Sequence, residues 1–255
     1  MHTPMRKILG MGAGFALAGF WFVSTAQAGS FNVVPFEFDP GKTHLVSAQW
    51  ARGVGCPPTG TTALIDDPST PFVFDPIPTP YDDPACAIGD PQDKLVEGLL
   101  LVKTGPTPNF AAAVADLKGL KGTVLTELGY DIRKIAAPPD DRGSHCGAGA
   151  PRFNVVIGGV LYFLGCNSPP PTVTTLGTGW LRLQWGPCPT PLQAFDSTTF
   201  ALVDLCTIPG GVDAIAIVFD EGQDASGGPD QFGAAVLDNI NVNGSLVGRG
   251  PAGGR

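Results

Sequence analysis

The chain has 255 residues, of which 35 are glycine and 26 are proline. Both residue types break helices, and together they reach about twice their usual share, which excludes a mostly helical fold. With 43% hydrophobic and only 15% charged residues, the chain is too apolar and too weakly charged to stay disordered. A β-rich globular protein with many turns and long loops is what remains.

The N-terminus reads as a secretory signal. Arg6 and Lys7 precede an apolar stretch from Ile8 to Val23, and Ala26-Gln27-Ala28 is a small-x-small cleavage site. The apolar run is short for a bilayer and lacks a stop-transfer flank, so cleavage is preferred to a retained anchor. Cleavage after Ala28 removes two basic residues and no acid, moving the net charge from −8 to −10. A chain so acidic is a poor partner for nucleic acid, which needs clustered Lys and Arg. Export also makes disulfides the expected state of the six cysteines. Fifteen pairings are possible. Sequential pairing (Cys56–Cys86, Cys146–Cys166, Cys188–Cys206) closes the shortest loops and is the expected one. There is no Cys-x-x-Cys to favour a metal site instead.

Strand signals follow in order. Asn32 to Phe38 places Val34, Phe36 and Phe38 on one face, and His44 to Trp50 is a second run. Residues 53–93 then hold nine prolines and seven aspartates and no Lys or Arg. That density predicts a long irregular loop, pinned where Cys56 joins Cys86. Lys94 to Lys103 reads as a strand. Asn109 to Lys118 is ambiguous: its alanines suit a helix, while Ala113, Ala115 and Leu117 alternate as in a strand. Gly122 to Lys134 contains a strand ending in Tyr130-Asp131-Ile132-Arg133.

Arg152 to Gly165 is the clearest hairpin, with Gly158-Gly159 as a two-residue turn. It sets Ile157 against Val160, Val155 against Tyr162 and Phe153 against Leu164. Val156, Leu161 and Phe163 make the opposite face apolar too, so the hairpin is expected inside a sheet or beside a groove. Trp180 to Trp185, Val212 to Asp220 and Ala234 to Val242 complete the strands, with Ile215, Ile217 and Phe219 inward. Eight or more short strands between turn signals predict an all-β protein, a two-sheet antiparallel sandwich of jelly-roll type with long Pro/Gly-rich loops. One domain over residues 29–247 suffices, with a flexible tail at 248–255.

Several segments carry a resemblance: ELGYDIRK (127–134), SHCGAGAPRFNV (144–155), YFLGC (162–166), Gly179-Trp180, FDEG (219–222) and AVLDNINVNG (235–244). They are similar to segments of uncharacterised secreted bacterial β-jelly-roll proteins, and the closing Leu-Asp-Asn-Ile resembles carbohydrate-binding-module-like domains. The resemblance covers mainly residues 94–247. It implies a fold and transfers no ligand residue.

No catalytic motif stands out. Gly-x-Ser-x-Gly and His-Glu-x-x-His are absent, and only His44 and His145 remain after cleavage. Ser144 and His145 are sequence neighbours that point apart in an extended chain, which does not suit a triad. A glycosidase needs two carboxylates about 5–9.5 Å apart, and the abundance of acids makes such a pair uninformative by itself.

Metal binding has more support. Asp220, Glu221, Asp224 and Asp230 crowd a glycine-rich loop, whose hard oxygen ligands suit calcium. Strand alternation puts Asp238 on the face of Val236 and Ile240, where a carboxylate needs a cation or hydrogen-bond donors. If the closing strand neighbours the first, Glu37 and Asp39 join it. For glycan binding, Trp180, Trp185, Tyr162 and Tyr130 lie on strands and offer flat rings. Trp180 and Trp185 are five apart and face opposite sides, so only one is expected in the core.

Three functions follow for test. The first is a non-catalytic glycan-binding or structural module, calcium-stabilised. The second is a protein-interaction or matrix protein acting through 53–93. The third is a hydrolase with a carboxylate pair. Asn243-Gly244-Ser245 fits either a glycosylation sequon or a hairpin turn.

Overall fold

Alternation of apolar and polar residues dictates strands, and strands dominate the computed structural model. It describes residues 30–56, 62–66, 76–80, 89–104, 111–134, 146, 149–175, 180–220 and 232–251. The expected signal segment and most of the 53–93 stretch lie outside these. So do His145, Cys86, Glu221, Asp224 and Asp230.

The strands in chain order are β1 (Asn32–Phe38), β2 (Val46–Arg52), β3 (Thr62–Asp66), β4 (Pro76–Pro80), β5 (Glu97–Thr104), β6 (Ala112–Lys118), β7 (Leu128–Lys134) and β8 (Arg152–Ile157). They continue with β9 (Val160–Gly165), β10 (Thr172–Thr175), β11 (Trp180–Trp185), β12 (Gln193–Asp196), β13 (Leu202–Asp204), β14 (Val212–Phe219), β15 (Phe232–Val242) and β16 (Ser245–Val247). A front sheet runs β1-β6-β14-β8-β9-β12-β13, and a back sheet runs β10-β11-β7-β15-β5-β2, with β16 beside β15. Every pairing is antiparallel, and the chain crosses repeatedly from one sheet to the other, as the jelly-roll expectation requires. No helix among the described residues is long and apolar enough to cross a membrane.

The ambiguous alanine segment is strand β6. Ala113, Ala115 and Leu117 point into the core, so packing overrides alanine's helix preference. The β8–β9 hairpin has the expected register, with Ile157 on Val160, Val155 on Tyr162 and Phe153 on Leu164. It lies inside the front sheet, between β14 and β12. Two expectations need correction. The stretch 53–93 is not wholly irregular, because β3 and β4 pair within it. Prolines 76, 78 and 80 fall at every second position, so their missing N–H groups share one side and the other side stays free to pair. The strict alternation expected for β15 also fails. The register shifts between Asp238 and Asn241, where Asn239 has φ 45°. This bulge returns Ile240 to the inter-sheet core while Val236 and Asp238 point outward.

The core between the sheets holds Leu99, Leu101, Ile132, Val155, Ile217 and Leu237, all nearly inaccessible to water. Tyr130, Phe153 and Trp185 meet at its centre, with ring centroids 5.4–5.8 Å apart. The polar ends of two of these rings are satisfied: Tyr130 Oη donates to Pro151 O at 2.8 Å, and Trp185 Nε1 donates to Pro169 O at 3.1 Å. Disulfides Cys146–Cys166 and Cys188–Cys206 form as expected. Cys56 is also disulfide-bonded. These bridges fit an oxidising compartment.

Candidate functional site

The outer face of the front sheet has a graded profile that follows from side-chain size. The two neighbouring strands β6 and β14 present small residues outward: Ala112 and Val114 on β6, Ala214, Ala216 and Val218 on β14. Phe36 and Phe38 of β1 flank them on one side, 42% and 49% exposed. Phe163 of β9 and Phe195 of β12 stand on the other. Register aligns one row across the whole sheet: Val34, Asp116, Ala216, Asn154, Phe163, Phe195 and Leu202. Small residues on β14 between the aromatic banks leave this face low, while Ala112 and Val114 on β6 are themselves buried; this low face is the trough.

The trough carries fixed polar groups. Arg152 grips Asp220 through two parallel bonds, Nη1 to Oδ1 at 2.6 Å and Nη2 to Oδ2 at 2.7 Å. The same guanidinium lies 5.6 Å from the Phe163 ring centre, a cation over an aromatic face. Asn154 Oδ1 is buried and has no hydrogen-bond partner, an acceptor whose solvation is lost without compensation. A hollow of about 320 Å³ opens beside Arg152, Phe163, Phe195 and Phe200.

Phe200 caps the hollow from the turn between β12 and β13. It is 72% exposed and has φ 54°, a backbone region that costs an L-residue roughly 1–2 kcal/mol. Its turn is tightly tied. Asp196 Oδ1 accepts from Thr198 N and Thr199 N, and Phe200 N donates to Asp196 O at 2.8 Å. The amides of Thr198 and Thr199 hold the Asp196 carboxyl below its ordinary value. The ring is therefore presented on a stiff support.

The rings expected to bind glycan are elsewhere. Trp180, Trp185, Tyr130 and Tyr162 are all buried, at 0%, 3%, 0% and 7% exposure. None offers a face to a sugar, so these four belong to the interior. Trp180 and Trp185 do face opposite sides. Trp185 joins the inter-sheet core, and Trp180 is buried on the outer side of the back sheet under Arg133, 5.7 Å from the ring centre.

Among the described residues, the expected metal ligands Glu37, Asp39, Asp220 and Asp238 are not gathered; Glu221, Asp224 and Asp230 lie outside them. β1 pairs β6 in the front sheet, whereas β15 lies in the back sheet between β7 and β5, so Glu37 and Asp39 are not brought beside Asp238. Asp39 closes the turn after β1, accepting from Thr43 Oγ1 and His44 N. Asp238 accepts from Cys56 N and Asn239 N, both at 2.6 Å, and Asp220 is held by Arg152. No cluster of three or more His, Cys, Asp or Glu suited to a metal occurs among the described residues.

Asn243 is a turn residue. Its Oδ1 accepts from Thr126 N and Glu127 N, and its Nδ2 donates to Val124 O, so the amide ties the β15–β16 turn to the segment before β7. The trough residues missed in the sequence were Phe195, Phe200 and Arg152. The available signal was Asp196-Ser197-Thr198-Thr199, an Asx-type turn that lifts the next side chain outward.

No family model and no curated protein matches the chain. Among solved structures, the chain is similar to the family 11 carbohydrate-binding module of the cellulosomal cellulase Lic26A-Cel5E of Clostridium thermocellum. The identity is 12%, with 88% of this chain and 94% of that chain covered at a TM-score of 0.37. A family 11 module from Clostridium thermocellum in complex with a β-1,3-1,4-mixed-linked tetrasaccharide matches at 13% identity, covering 86% and 99%, with a TM-score of 0.34.

Proposed function

We propose that this chain is a secreted, non-catalytic module that binds an extended glycan along the trough of the front sheet. Phe200 carries the proposal. An aromatic ring held outside the core on a strained, well-braced turn contributes little to packing, and such strain concentrates at ligand sites. The C–H faces of sugar rings are apolar, and they stack on the electron-rich faces of aromatic rings. Phe163, Phe195 and Phe200 supply those faces. Arg152 and Asp220 supply directional hydrogen bonds to hydroxyls, the usual division of labour in a ligand cleft.

The mature protein is passed over insoluble and gel-embedded neutral polysaccharides, with the mixed-linkage tetrasaccharide as soluble competitor. Retention by at least one polysaccharide is expected, and its loss in Phe200→Ala with an unchanged melting temperature. No retention across the panel, or equal retention by Phe200→Ala, overturns the proposal.

A further inference from the structure

A second, larger cavity lies on a different part of the sandwich. The free edges of the two sheets, β1 and β2, meet at one side of the molecule and leave a cleft of about 930 Å³. Val34 and Pro35 form one wall, and Gln49, Trp50 and Arg52 form the other. The turn before β5 and the segment 249–251 make its rim.

Two features decide what fits. The first concerns the backbone. Trp50 Nε1 donates to Val33 O at 3.0 Å, so that carbonyl points toward β2 and away from β6. Pro35, two residues on, faces the same way and has no N–H. At Pro35 the open edge thus lacks a donor that an added strand would use, and the Val33 carbonyl is already taken, so an extended peptide is disfavoured as occupant.

The second concerns hydrogen-bond capacity. The carboxylates around the cleft are already engaged by main-chain amides. Asp93 accepts from Leu95 N and Glu97 N, Glu97 Oε2 accepts from Gly250 N at 2.8 Å, and Asp90 accepts from Gln92 N and Gly248 N. The donors are not exhausted. Arg52 is 56% exposed, and among the described residues its ion pair is a long one, 3.8 Å from Nε to Glu97 Oε1. Lys94 Nζ makes one bond, to Pro91 O. Arg249 is already engaged: its Nε lies 3.7 Å from Asp90 Oδ2 and its Nη2 donates to Gln92 Oε1. The spare chemistry of the cleft is the cationic N–H of Arg52 and Lys94, beside the half-buried indole of Trp50.

We propose that the edge cleft binds a carboxylate-bearing saccharide, with its carboxylate on Arg52 and Lys94 and its ring against Trp50. Guanidinium groups match carboxylates in a planar fork that neutral hydroxyls do not fill. This site is independent of the trough and of Phe200.

Calorimetric titration with trigalacturonate tests it, beside the fully methyl-esterified trimer, acetate and an acidic peptide. Trigalacturonate is expected to bind and the ester to bind at least about tenfold more weakly, since esterification removes the charge that the fork recognises. The exposed-site double variant Arg52→Gln/Lys94→Gln is expected to lose about tenfold in affinity with its melting temperature unchanged. Phe200→Gly is expected to bind trigalacturonate normally, which separates this site from the trough. Absence of binding, equal binding of the ester, or undiminished binding by the double variant overturns the proposal. Equal binding of acetate or the peptide also overturns it, because the saccharide ring then adds nothing.

Discussion

Asp238 stands directly opposite Asp131 in the pairing of β15 with β7, and both carboxylates are buried on the outer face of the back sheet. The two acids are handled differently. Asp131 takes Arg182 Nη1 at 2.9 Å and Asn239 Nδ2 at 2.7 Å. Asp238 has main-chain amides, from Cys56 and Asn239. Burial pushes the Asp238 carboxyl well above its ordinary value. The Cys56 amide opposes this, and repulsion from Asp131 adds to it. Asp238 thus closes the Cys56 loop onto the sheet at an electrostatic cost that grows with pH.

The sign of the pH dependence follows. A carboxyl whose folded pKa is raised contributes stability that is fully present below the unfolded value, about 3.9. It is lost as pH rises through the folded value. In Asp238→Asn that slope is expected to vanish. The melting temperature of the variant, measured from pH 4 to pH 8, should therefore fall less with rising pH than that of the parent. The difference between the two slopes isolates Asp238 from Asp39 and Asp196, whose lowered values act in the opposite direction in both proteins. Parallel profiles would show that Asp238 does not titrate between the two states.

Gly55 marks how closely the loop approaches. A Cβ there would lie 2.3 Å from Glu97 O and 2.8 Å from Asp238 Oδ2, and backbone cannot yield as a flexible side chain can. Gly55→Ala is expected to cost about 2–4 kcal/mol, lowering the melting temperature by roughly 5–15 °C. Scanning calorimetry reads it. A drop under 2 °C would mean that the loop shifts freely.

Phe200→Gly separates binding from stability. Glycine relieves about 1 kcal/mol of left-handed strain and adds a comparable entropy to the unfolded chain. The melting temperature is expected to stay within about 2 °C, while polysaccharide retention is lost. Retained binding would remove Phe200 from the trough.

Arg152→Lys keeps the charge and loses the fork. Lysine cannot make both parallel bonds to Asp220, so the polar end of the trough loosens. Glycan affinity is expected to fall about tenfold with little change in melting temperature, since the pair is partly exposed. Equal affinity in frontal affinity electrophoresis would show that the fork serves the fold alone.

Local rules reached far along this chain. Period-two alternation marked β1, β8, β9 and β14, and Gly158-Gly159 set the hairpin register, because turn geometry and side-chain alternation act between residues close in sequence. The shortest-loop argument found Cys146–Cys166 and Cys188–Cys206 for the same reason. The aromatic site was not legible in this way. Trp180 and Trp185 looked like sugar platforms until packing buried both, since burial depends on what crosses a strand from elsewhere.

Glycine and proline, counted at the outset, excluded helix and placed the turns, and that much the sequence determined alone. Tertiary structure decided which faces stay open. It separated Glu37 and Asp39 from Asp238 by assigning β1 and β15 to different sheets. It turned Ile240 inward through a bulge and brought Arg152 to Asp220, 68 residues away. These outcomes depend on sheet order and on contacts between distant segments, whose free energy no local pattern encodes.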